Sequence, residues 1–239
     1  MLSLFSVFHI YVNRTYLIKI DLIDFCLDVN PSADGSAYLE YGNIKVICSV
    51  CGPVEVCQSS LIPNFFKFAP FSTQIRRDGV RDPEEKRLSQ LLLSALEPSL
   101  VLDSFLRGKY QITVTVLDDG SSPGSQLSST ASCLSAGITC ASIALVRAGV
   151  QMYDLAIGLD VDTSTLNPEV KEHGTSSVAI MPQLRQITMI NSTWLELASV
   201  ENLQKILDDS FDKAEEMYRC LQSLLFSSLE DEFKLIENN

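Results

Sequence analysis

Basic residues are scarce in this chain of 239. Eighteen lysines and arginines stand against 30 aspartates and glutamates, a formal charge of −12 with a pI near 4.6. Such a surface repels nucleic acid, because non-specific binding works by neutralising phosphates with Lys and Arg, so any contact with RNA or DNA has to be local. Between Lys109 and Arg147 there is no basic residue at all. Histidine occurs twice, and His173 has no Ser or Cys partner at an identifiable spacing, so the sequence assigns no general base.

The seven cysteines are odd in number and irregularly spaced. That excludes a disulfide framework of the small secreted kind and favours a reducing compartment, cytosol or nucleus. Cys48, Cys51 and Cys57 invite a zinc reading. Cys48 and Cys51, however, lie three apart on a predicted strand, where side chains alternate faces, and a second pair of ligands is missing. The apolar start "MLSLFSVFHIYVNRTYLIKI" has no positive region ahead of it and no small-residue cleavage site, and Asn13 and Arg14 interrupt it before membrane-spanning length. No membrane segment is expected, and residues 1–30 are set apart from the domain expected over 31–239.

What is present is the core of an ordinary globular protein, with 46% apolar residues. Strand-like runs cover "YLIKIDLIDFCLDV", "SAYLEYG" and "IKVICSVCGPVEV", the last two joined by a short Gly-Asn turn. Asp82, Pro83 and Glu85 read as the N-cap, first-turn proline and capping-box acid of a helix that carries Leu88, Leu91, Leu92, Ala95 and Leu96 on one face and ends at Pro98. "YQITVTVLDDG" is a further strand, "SSPGSQLSS" a loop, and "STASCLSAGITCASIALVRAG" a helix of small residues closed by Gly149. Strands follow at "DLAIGLDVD", "SSVAIMP" and "QITMINSTWLEL", then an amphipathic helix with Leu203, Ile206, Leu207, Phe211, Ala214, Met217, Tyr218, Leu221 and Leu225 on one face. Strand runs broken by a few helices predict an α+β fold.

The stretch "DGSAYLEYGNIKVICSVCGPVEV" resembles the first hairpin of the RNase PH family of phosphorolytic exoribonucleases. The resemblance continues in order through "APFS", "SALEPSL", "ITVTVLDDG", "AGITCASIALVRAGVQMYDL" and "VAIMP". It implies an RNase PH-like (ribosomal protein S5 domain 2-like) fold of mixed sheets with helices packed on them, in two pseudo-symmetric lobes of one domain. Within the family, "EEKRLSQLLLSALEP" and "AGVQMYDLAIG" are most similar to a eukaryotic exosome ring subunit of the mRNA-transport-regulator type. That implies one of six subunits around an RNA-threading channel. The implied partners are the other RNase PH-like ring subunits, an S1/KH-type cap subunit and single-stranded RNA in the channel. The implied location is nucleus and nucleolus, also cytoplasm.

Active members hold inorganic phosphate on a Gly-Thr-Arg turn and magnesium on two aspartates. Backbone N–H groups with an arginine fork fix the nucleophile, and the metal offsets charge on the scissile phosphate. Ungapped counting from Ala136 puts Ser132, Cys133 and Leu134 at the phosphate turn, and counting from Val178 puts Thr175 and Glu169 at the metal positions. Leu134 has no donor and Thr175 no carboxylate. The segment from Asp118 to Ser135 is expected to be a loop about ten residues longer than in active relatives, a length surface loops tolerate. The resemblance therefore implies a catalytically silent subunit with no cofactor and no metal. An active phosphate-dependent exoribonuclease and a ring-free binding protein are the alternatives.

The most basic stretch is "TQIRRDGVRDPEEKR". Arg76, Arg77, Arg81, Lys86 and Arg87 are either an RNA contact in the channel, as the family implies, or a solvated loop paired with Asp78, Asp82, Glu84 and Glu85. Glu169 and Asp160 are metal-ligand candidates against the plainer reading of solvated acids. Phe65, Phe66, Phe68 and Phe71 are base-stacking candidates against core or interface packing.

Overall fold

The computed structural model describes residues 18–20, 23–55, 65–73, 76–77, 82–102, 108–120, 128–162, 175–192 and 200–237. Alternation of apolar and polar residues builds the first sheet. Strand β3 (Gly35–Tyr41) and β4 (Ile44–Glu55) form the expected hairpin, with Gly42 in the left-handed region (φ 59°) that its turn demands. On β4, Ile44, Val46, Cys48 and Val50 are buried while Cys51 is exposed, so the two thiols do face opposite ways. Upstream, the single run expected from Tyr16 is in fact two short antiparallel strands, β1 (Ile18–Ile20) and β2 (Ile23–Leu27), with β2 paired to β3. Both precede residue 31, so the sheet draws on part of the segment set apart from the domain.

A strand that the sequence reading left out completes this sheet. β5 (Phe65–Phe68) lies parallel to β6 (Gly108–Asp119), giving the order β1-β2-β3-β4-β6-β5. Parallel neighbours need a crossover, which helix α1 (Pro83–Leu96) supplies. Asp82 and Pro83 open α1 as expected, but there is no capping box. Asp82 makes no side-chain cap bond, and Glu85 turns inward to accept the Phe68 N–H at 3.0 Å, while Ser89 accepts the Phe66 N–H at 3.0 Å. Two donors on the open edge of β5 are thereby satisfied. A short 3₁₀ turn, Glu97–Ser99, carries the chain past Pro98.

Helix α2 (Ser128–Arg147) runs through the centre, with the six-stranded sheet on one side and a second sheet on the other. The latter comprises β7 (Ile157–Asp162), β8 (Thr175–Met181) and β9 (Gln186–Ser192) in the order β7-β8-β9. α2 is long and apolar enough to cross a membrane by composition, yet it is mostly buried within the domain. Ser135, Thr139 and Ser142, at helical spacing, point at the unpaired edge of β7. Ser135 donates to the Leu159 carbonyl at 2.9 Å, Ser142 to the Ala156 carbonyl at 2.6 Å, and Thr139 accepts the Gly158 N–H at 3.0 Å. Gly158 is required here because a Cβ would overlap the Ser135 backbone. Helix α3 (Val200–Glu237) covers the second sheet, burying Ala214 and Leu221 and packing Phe211, Met217, Tyr218 and Leu225 against the core. Arg147, at the end of α2, forks onto Asp28 through Nε (2.8 Å) and Nη2 (2.7 Å).

Thr139→Val keeps the side chain's shape but strands the Gly158 N–H. A loss of about 1–3 kcal/mol is expected, read as a lower urea midpoint, while the exposed Ser94→Ala leaves the midpoint unchanged.

Candidate functional site

The three residues at the family's phosphate turn lie inside α2 rather than in a loop, because the helix begins at Ser128. The expected loop to Ser135 is therefore corrected: its last eight residues are helical. Only the first four N–H groups of a helix are free, and Ser132, Cys133 and Leu134 come after them. Their side chains also diverge around the helix. Ser132 donates its hydroxyl to Asp160 Oδ2. Cys133 is fully buried and directs its thiol at the Asp119 carbonyl, 3.9 Å away. Leu134 is fully buried in the core. The three side chains themselves bring no positive charge, but the Arg77 guanidinium lies close enough to act on the Cys133 thiol.

Of the two metal positions, Glu169 lies outside the described residues and Thr175 opens β8 opposite Asp162. Among the described residues no group of three His, Cys, Asp or Glu side chains could hold a metal ion. Asp160 receives the Ser132 hydroxyl, and Thr175 brings no carboxylate. The buried Asp154 is likewise committed. Its Oδ1 accepts the Leu155 N–H at 2.8 Å and its Oδ2 accepts the N–H groups of Gln183 (2.8 Å) and Leu184 (3.3 Å), which pins the β8–β9 turn.

The described basic residues are placed in different ways. Arg76, Lys86 and Arg87 are exposed, and Arg81 lies outside the described residues. Arg77 turns inward, its guanidinium stacked 4.0 Å from the centre of the Phe68 ring, with Nη1 buried and no hydrogen-bond partner among the described residues. Among the phenylalanines, Phe66 and Phe68 are buried edge-to-face at 5.6 Å, Phe65 is half-buried, and Phe71 is 74% exposed. Sequence reasoning missed the Ser132–Asp160 pair, whose members are 28 residues apart. Alternation along "DLAIGLDVD" puts Asp160 and Asp162 on one face, but nothing local names Ser132 as the partner.

Burial dominates the thiol chemistry. Cys140 is pushed up to about 12, Cys48 well above its usual range, and Cys133 is raised by burial first and the nearby Asp119 next, with Arg77 opposing. None is a nucleophile near neutral pH.

Comparison with known proteins fits this arrangement. The profile of RNase PH, the 3' exoribonuclease family, domain 1, matches residues 22–151. The chain belongs to the RNase PH family. It is 32% identical over 185 residues to the human (Homo sapiens) exosome complex component MTR3, covering 65% of this chain and 64% of that one, so it spans a little under two thirds of that relative. It is 30% identical over 207 residues to the Arabidopsis thaliana exosome complex component RRP41-like, covering 80% and 76% of the two chains. The Thermococcus onnurineus exosome complex component Rrp41 is 33% identical over 177 residues, covering 68% and 67%. The crystal structure of rice (Oryza sativa) Rrp46 superposes with a TM-score of 0.65 at 16% identity over 88% of this chain and 96% of that one, a likeness of fold. The α+β, RNase PH-like architecture is thus shared with exosome components.

Two outcomes follow from the buried positions. Restoring an arginine with Leu134→Arg puts an unpaired cation into the core, so it is expected to unfold the protein in a thermal melt and to create no phosphate binding. The second concerns pH. The Cys140 thiol loses its proton near 9.0 in the unfolded chain and near 12 in the folded one, so its stabilising contribution is complete below pH 9 and is lost as pH rises to 12. Cys140→Ala is expected to flatten the fall in urea midpoint across that window, and alkylation at pH 8 followed by mass spectrometry should find Cys51 modified and Cys140 untouched.

Proposed function

We propose that this protein is a non-catalytic ring subunit of the RNA exosome. It supports 3'-to-5' RNA processing and degradation by completing a hexameric ring of RNase PH-like subunits, docking an S1/KH-type cap subunit and guiding single-stranded RNA. The observation that carries the reading is Leu134: the position that needs a phosphate-binding arginine holds a leucine buried in the core, and no basic residue lies between Lys109 and Arg147 to replace it nearby in sequence. Membership of the family and similarity to exosome components in eukaryotes and archaea support the assembly part of the proposal. Such a subunit works in nucleus, nucleolus and cytoplasm. The RNA path is assigned to Arg76, Arg81, Lys86 and Arg87, whereas Arg77 is held on Phe68. The alternative, an active phosphate-dependent 3'-to-5' exoribonuclease, rests on the family's description as 3' exoribonucleases.

The test has two arms. The chain, alone and co-expressed with RNase PH-like ring partners, is incubated with single-stranded RNA and phosphate. No nucleoside diphosphate attributable to this subunit is expected, and phosphate-stimulated release that Asp160→Asn abolishes would establish the alternative. In the assembled ring, Arg76→Ala, Arg81→Ala and Arg87→Ala together should weaken RNA binding and lower its salt slope by about one to two phosphate contacts, at about 0.7 per contact for single strands. An unchanged slope in a ring that still assembles removes the loop from the RNA path.

A further inference from the structure

Near the end of the chain the sequence runs Ser227-Ser228-Leu229-Glu230-Asp231-Glu232, two adjacent hydroxyls followed after one leucine by three consecutive acids. Nothing in the proposed function uses this stretch, and all six residues lie in α3. Among the described residues Leu225 is the last of this helix that packs against the core, and residues 226–237 run on for about 18 Å. Phe226, the first of them, is 57% exposed, and Glu230 is exposed as well. The two serines are equivalent in sequence, since each has an acid three positions on, but the fold separates them. Ser228 is 9% exposed and donates its hydroxyl to the Leu225 carbonyl at 2.8 Å. Ser227, one step around the helix, is the more open of the two. Glu230 and Asp231 stand at i+3 and i+4 from it, one turn further along the same face. Ser223 is exposed on the same helix but is followed by Leu224, Leu225 and Phe226, with no acid among them.

We infer that Ser227 is a phosphorylation site for an acid-directed serine kinase. Acids placed just after the hydroxyl offer a basic substrate groove the charge it selects and repel the grooves of kinases that read basic residues. In the transfer the Ser227 Oγ attacks the γ-phosphorus of ATP, the bond from that phosphorus to the β–γ bridging oxygen breaks, ADP leaves, and the hydroxyl proton passes to the kinase's base. A kinase holds the residues around its target extended, so the last turns of α3 open first. Helix ends fray, and opening costs least where few contacts to the core are broken. The product carries a charge of about −1.5 to −2. It meets Glu230 and Asp231 one turn on, and like charges at that spacing disfavour the helix. Phosphorylation thereby loosens α3 beyond Leu225, while the part that covers the second sheet stays in place.

The test uses the full-length protein, incubated with ATP and purified casein kinase II, with the modified residues located by mass spectrometry. One phosphate on Ser227 is expected. Ser227→Ala should remove it, Ser228→Ala should leave it, and Glu230→Gln together with Asp231→Asn should lower its initial rate about tenfold. Cyclic-AMP-dependent kinase, which selects basic residues, should leave Ser227 unmodified. Hydrogen exchange on the phosphorylated protein should quicken roughly fivefold over residues 227–237 and stay unchanged at Ala214 and Leu221. No phosphate on Ser227 under conditions that modify casein, a phosphate on Ser228 in its place, an unchanged rate after both acids are neutralised, or equal exchange in the two forms would each overturn the inference. None of these measurements involves ring partners or RNA turnover, so this reading and the proposed function fail separately.

Discussion

The hydroxyl stripe of α2 against the edge of β7 is the contact on which the rest of the arrangement depends. A strand at the end of a sheet exposes a row of donors and acceptors that must find partners once buried. Here Ser135, Thr139 and Ser142 serve Leu159, Gly158 and Ala156 in place of another strand. Small side chains let the helix come close enough to make these bonds, and Gly158 removes the last obstacle. The other side of α2 meets the first sheet, where the Cys140 thiol lies 3.3 Å from the Ala37 carbonyl. One helix therefore joins two sheets into a single core, and its rotational setting is what brings Ser132 to Asp160 and sends Leu134 inward.

Much of this architecture is legible in the sequence, for a physical reason. The hairpin of β3 and β4, strand β6 and the amphipathic α3 each carry a periodicity that burial on one face imposes. What escapes is local pattern overridden by tertiary bonding. β5 is four residues long and reads as an aromatic cluster, and its strand character comes from pairing with β6 and from acceptors on α1. Glu85 has the spacing of a capping-box acid but is recruited by the Phe68 N–H, a donor 17 residues away. The run from Tyr16 looks continuous because β1 and β2 are both apolar and stand only two residues apart in sequence, which leaves the hydrophobic pattern unbroken.

At the candidate site the sequence shows which residue types are present more than where they point. The absence of an arginine between Lys109 and Arg147 is a statement about composition, whereas the approach of Arg77 to Cys133 is made by the fold. Where Ser132, Cys133 and Leu134 point is a statement about helix phase, and counting residues from Ala136 could not supply it.

Asp154 carries a lesson for reading other chains of this family. An aspartate three residues before a strand, in a family described as 3' exoribonucleases, attracts a catalytic label. In this molecule both of its oxygens are occupied by main-chain amides from the β8–β9 turn and from its own neighbour. Its side chain is the length that reaches those amides without bending the backbone, so glutamate is no substitute and asparagine supplies only one of the two acceptors. The acid at this position therefore reports the shape of a turn, and its survival in the chain is no measure of surviving activity.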